Sequence, residues 1–119
     1  MNNNEAINES YSLHKLESIT SGDEQAIRHF NRVFLNETLT KDVSSLRKFY
    51  DERNMSELNR CAHKMKSSLD LYCLNEVAGE IRVLEHLTEQ GSHSSEMSDI
   101  ITRVERSLFI VREQFTQLI

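Results

Sequence analysis

The chain of 119 residues carries 14 Lys and Arg against 19 Asp and Glu, a net charge of -5, and 38% of it is apolar. That length supports a single hydrophobic core. No run of about 18 apolar residues offers a membrane span, and no basic block offers the positive stripe that nucleic-acid binding needs. With no proline and only three glycines, Gly22, Gly79 and Gly91, the composition favours long helices over a sheet with many turns. The first ten residues lack the basic and apolar regions of a secretory signal, so a cytoplasmic protein is expected. Cys61 and Cys73 read as small core residues rather than as a disulfide.

Residues 1–9 are polar and are expected to form a flexible segment ahead of one domain at 10–119. Ser10 to Ile19 offers Tyr11, Leu16 and Ile19 as a short helix. Ser21 followed by Glu24 has the form of a capping box, in which two side chains satisfy orphan amides at a helix start. A long helix over most of 23–50 follows, with Ile27, Phe30, Val33, Phe34, Leu39, Val43, Leu46, Phe49 and Tyr50 as its apolar positions. The pattern thins between Asn36 and Thr40. Asp51 to Asn54 is a polar joint, and Asn54 with Glu57 marks the next start, of a helix ending near Tyr72.

Another helix begins around Asn75, presents Val77, Ile81, Leu84 and Leu87, and stops at Gly91. Gly79 inside it costs about 1 kcal/mol relative to alanine, which suggests that another helix packs close there. The last helix, about 96–118, is the most regular: Ile101, Val104, Leu108, Val111, Phe115 and Leu118 form a seam of the kind that bundle helices bury. The expected fold is all-α, an antiparallel up-down-up-down four-helix bundle with a short N-terminal helix.

The chemistry concentrates in the helix between these joints. Leu58, Cys61, Met65, Leu69 and Tyr72 make its apolar stripe. His63 lies two residues from both Cys61 and Met65, about 200° around the helix, and so points to water. Helical spacing gathers His63, Lys66, Ser67 and Asp70 on one face, with Asn59 and Arg60 a turn earlier. An exposed imidazole beside an ammonium group suits an anion: the lysine offers charge to a phosphate while a ring nitrogen can accept a phosphoryl group. A surface histidine near a lysine is also a common solvated pair. The five histidines and two cysteines show no metal-ligand spacing, since Cys61 and His63 face opposite ways and no histidine pair falls at i,i+4. No cofactor is expected. A narrow bundle without a glycine-rich loop offers little room for a substrate of its own.

Residues 11 to about 90 resemble the histidine-containing phosphotransfer (HPt) domain of two-component phosphorelays. The resemblance rests on Ala62-His63-Lys64-Met65-Lys66-Ser67-Ser68, then Tyr72-Cys73, then Leu84-Glu85, with Gly22-Asp23 ahead of a helix containing Phe30 and Phe34. Two positions depart from the family pattern: Ser67 stands where a glycine is usual, and Cys73 replaces the junction glycine. The resemblance implies that His63 accepts a phosphoryl group from a receiver-domain aspartate and passes it to another, without independent catalytic machinery. Lys66 would compensate phosphate charge, Ser67 would give room, and Glu85 could orient the ring. Arg60, Lys64, Ser67 and Asp70 would meet the partner. The implied partners are response-regulator receiver domains, which carry the magnesium, and a hybrid histidine kinase; a monomer is expected. The competing expectation is a bundle of the same shape that acts as an interaction adaptor without phosphotransfer.

Overall fold

The computed structural model describes residues 4–118. A short helix, α1 (His14–Thr20), leads into four longer helical arms. The first arm joins α2 (Glu24–Val33), a π-helical segment (Phe34–Asp42) and α3 (Val43–Asp51) without a break. The others are α4 (Met55–Leu71), α5 (Asn75–Glu89) and α6 (Ser95–Thr116). Among the described residues there is no strand, and the arms form the expected four-helix bundle.

Local chemistry sets the boundaries. Asn54 accepts from the Glu57 amide at 3.2 Å, as its spacing predicts. The expected Ser21–Glu24 box is not formed. Ser21 instead takes a left-handed conformation that closes α1, and Asp23 caps α2 by accepting from the Gln25 amide at 3.1 Å. The start of α5 has no side-chain cap of its own at Leu74. Glu9 supplies one from a distance, its carboxylate accepting from the Glu76 and Val77 amides at 2.8 and 3.2 Å. The Ile7 amide also donates to Ser107. Within residues 4–9, Ile7 thus meets α6 and Glu9 meets α5; residues 1–3 lie outside the described residues.

The thin apolar pattern between Asn36 and Thr40 falls inside the π-helical segment. A π-helix closes i→i+5 bonds and changes the phase of the faces that follow. Here it buries Phe34, Thr38, Leu39 and Asp42 together, and the chain then resumes α geometry with Leu46 buried.

The core is one cluster drawn from every arm. At one end Phe34 stacks on Tyr72 with ring centroids 3.9 Å apart, and Phe115 meets both rings edge-on. The Tyr72 hydroxyl, buried with them, donates to Asn31 Oδ1 at 2.9 Å, so its polar end is satisfied. Ile101, Val104, Leu108, Val111 and Phe115 are buried as the seam predicts, whereas Leu118 lies past the end of α6 and is half exposed. Gly79 does not mark a close approach: a Cβ added there would meet nothing within 4 Å.

Candidate functional site

The site stands on the α4–α5 pair, the most extensively packed in the bundle. Leu58, Cys61, Ala62, Met65 and Leu69 of α4 and Val77, Ala78, Ile81 and Leu84 of α5 are buried in the bundle. Burying that stripe fixes the rotation of α4 and turns His63 outward, where its side chain is 73% exposed.

Glu85 projects from α5 to meet it. One carboxylate oxygen lies 2.8 Å from His63 Nδ1 and the other accepts from Lys66 Nζ at 2.6 Å. His63 and Lys66 are one turn apart on α4, so a single carboxylate bridges both. Glu85 is only 15% exposed. The Lys66 hydrogen bond holds its carboxyl below the usual carboxylate range, against the opposing effect of burial, and the His63 contact adds to the lowering. An ionised carboxylate only accepts, so His63 Nδ1 is the donor in this pair. In the neutral ring this fixes the Nδ1–H tautomer, which leaves the free lone pair on Nε2 of an exposed imidazole.

The remaining sequence-derived candidates divide. Ser67 lies a turn beyond His63, its hydroxyl donating to the Lys64 carbonyl. Arg60 is exposed and pairs with Glu57 at 3.3 Å. Asp70 pairs with Arg82 on α5 at 3.2 Å. Lys64 turns to the other flank of α4, where its ammonium lies 3.3 Å from Asp42 and 3.8 Å from Glu37.

Asp42 is a feature that the sequence did not single out. Its side chain is 7% exposed, and its Oδ2 has no hydrogen-bond partner. Burial pushes its carboxyl above the usual range, and Lys64 opposes this only in part. Cys61 beneath it donates to the Asp42 carbonyl at 3.4 Å, and burial pushes the thiol up to about 12, leaving it an inert core residue.

An apolar groove between α2 and α4 was also missed. Phe30, Val33, Phe34 and Leu71 line it beside Lys64 and Ser67. Phe30 and Val33 read in the sequence as core positions, yet both are exposed here. No group of three or more metal-ligating side chains exists among the described residues, and none of their helices is long and apolar enough to cross a membrane.

No protein-family model, curated protein or solved structure matches the chain. The helical bundle and the geometry around His63 therefore carry the functional argument.

Proposed function

We propose that the chain is a phosphorelay carrier that accepts a phosphoryl group on His63 from a receiver-domain aspartate and passes it to another receiver-domain aspartate. The observation that carries this reading is the exposed imidazole held through Nδ1 by an ionised Glu85, which leaves Nε2 as the nitrogen with the free lone pair. That arrangement supports nucleophilic attack by Nε2 on the phosphorus of an aspartyl phosphate. The N–P bond forms as the acyl P–O bond breaks, and the bonding pair leaves with the partner's carboxylate. The ring gains positive charge during the step, and the Glu85 carboxylate at 2.8 Å opposes that charge without having to move.

Lys66 serves first to keep Glu85 ionised and in place, and then to offset the added phosphoryl charge. The magnesium and its acidic pocket belong to the receiver, so the carrier contributes an oriented nucleophile on a rigid helix. The groove beside Ser67, with exposed Phe30 and Val33 on its wall, offers the partner an apolar surface one helical turn from His63 along α4.

Incubation with a phosphorylated receiver domain tests the reading. Acid-labile label is expected on the wild type and absent from His63→Gln, with equal helical circular dichroism in the two. Tight receiver binding with no transfer from any receiver would replace the carrier with an adaptor, and a His63→Gln variant that unfolds would contradict the exposed position assigned to the ring.

A further inference from the structure

The carboxylate of Glu85 is held by Lys66, but its backbone is held by a separate device. The Glu85 carbonyl accepts from the Thr88 hydroxyl at 2.5 Å and from Asn59 Nδ2 at 3.2 Å. Asn59 Nδ2 also donates to Thr88 Oγ1 at 2.8 Å. These three bonds close a ring between α4 and α5. Asn59 stands one turn before His63 and Thr88 nearly one turn after Glu85, so in an antiparallel pair the ring lies beside the His63–Glu85 bond.

Thr88 is the only polar residue on the buried face of α5, after Val77, Ala78, Ile81 and Leu84. Valine would fill the same space, and a buried hydroxyl costs stability unless it is hydrogen-bonded. Packing alone therefore does not account for a threonine at this position. A hydroxyl here can bond back to the carbonyl three residues earlier, which makes that carbonyl a defined point on the α5 surface. Asn59 then grips both the carbonyl and the hydroxyl from α4. Apolar stripes fix helix rotation only to within the tolerance of side-chain packing. A directed polar contact fixes it more narrowly, because hydrogen bonds weaken quickly with distance and angle.

We infer that Asn59 and Thr88 are positioning residues for the phosphoacceptor. By locking the rotation and register of α5 at Glu85, they set the Glu85–His63 contact and with it the tautomer that exposes Nε2. Neither residue touches the reacting nitrogen. Outer partners of metal-bound histidines act in this way, and their loss typically costs about tenfold or more in metal affinity or activity; a comparable loss is expected here. The inference rests on His63 being the phosphoacceptor only for its functional consequence; the tautomer itself is measurable without phosphotransfer.

The experiment uses nitrogen NMR of the histidine rings, together with the rate of acid-labile phosphorylation by phosphoramidate, on the full chain. Thr88→Val and Asn59→Ala are expected to reduce the Nδ1–H share of the neutral His63 ring and to slow phosphorylation by about tenfold. Thr88→Ser, which keeps the hydroxyl, is expected to restore both values. Thermal unfolding identifies any variant that has lost its fold, and Thr88→Val, close in shape to the native residue, remains informative if Asn59→Ala fails that check. A His63 tautomer unchanged in a folded Thr88→Val overturns the inference, as does a shift that Thr88→Ser does not reverse. If the tautomer shifts as expected while the wild type takes up no phosphoryl group, the positioning role stands and the carrier reading falls.

Discussion

Two lysines on α4, two residues apart, reach in opposite directions to carboxylates on neighbouring arms, and the two pairs have opposite consequences. Lys66 meets Glu85 at 2.6 Å, where the carboxylate has every oxygen engaged and its pKa is lowered. Lys64 meets Asp42 at 3.3 Å, where one oxygen is orphaned and burial raises the pKa despite the lysine. The Lys64 ammonium itself is raised by Asp42, so the attraction is real; the desolvation of the buried partner outweighs it. An ion pair stabilises when the acid keeps enough hydrogen-bonding partners, and costs stability when it does not. In this molecule the satisfied pair supports the candidate nucleophile, and the acid of the unsatisfied pair ends the π-helical segment.

Removing the acid that holds His63 is expected to have the largest effect. Glu85→Gln is expected to lower the rate of phosphoryl acceptance by about tenfold or more, because the ring loses the charge that stabilises its cationic form. An unchanged rate would remove Glu85 from the site. Lys66→Ala is expected to slow acceptance less and not to abolish it, since the nucleophile remains. An unchanged rate there would make the lysine dispensable.

Acid titration of stability sharpens the contrast, because the two carboxylates have opposite signs. Glu85 has a lowered pKa in the fold, so its stabilising contribution is present above the ordinary glutamate pKa and is lost as pH falls through the lowered value. Asp42 has a raised pKa, so it carries a penalty at neutral pH that disappears as pH falls below the ordinary aspartate value. Asp42→Asn is therefore expected to melt higher than the wild type at pH 7, with the gap closing in acid. A variant less stable than the wild type at pH 7 would show that the Lys64 pair outweighs the burial of its acid. The smallest effect is expected at Gly79→Ala, a gain of up to about 1 kcal/mol from helix propensity in open space, readable by chemical denaturation. A loss would indicate a hidden contact.

Most of the bundle was legible because burial repeats with helical period. The stripe from Leu58 to Tyr72 and the seam from Ile101 to Phe115 are buried as their spacing requires, and the same spacing put His63 outside. What escaped depends on information that no short window of sequence holds. The cap of α5 comes from Glu9, 67 positions before the first amide it binds. The π-helical segment appeared in the sequence only as a weak stretch from Asn36 to Thr40, and its effect, the burial of Asp42, could not be read from a 3.6-residue period.

Cys73 shows the reverse case. It stands where the resemblance calls for glycine and takes the left-handed conformation glycine would take, with φ of 61°. The Cys73 and Leu74 amides close back on the Asp70 and Leu69 carbonyls, so the junction keeps its helix-ending turn. Glu85 was legible as a position, but the lysine that shares its carboxylate was read only as a phosphate ligand. Which of two nearby anions a lysine meets in the resting protein is decided by side-chain geometry.

In the proposed reaction Glu85 holds Nδ1 and leaves Nε2 as the reacting nitrogen. Phosphorus and nitrogen NMR of the protein after treatment with phosphoramidate tests it most directly, because the two possible phosphohistidines give different spectra. A single phosphoryl group on Nε2 of His63, absent from His63→Gln, is the result this account predicts. A phosphoryl group on Nδ1, or on another histidine while His63 stays unmodified, would contradict it.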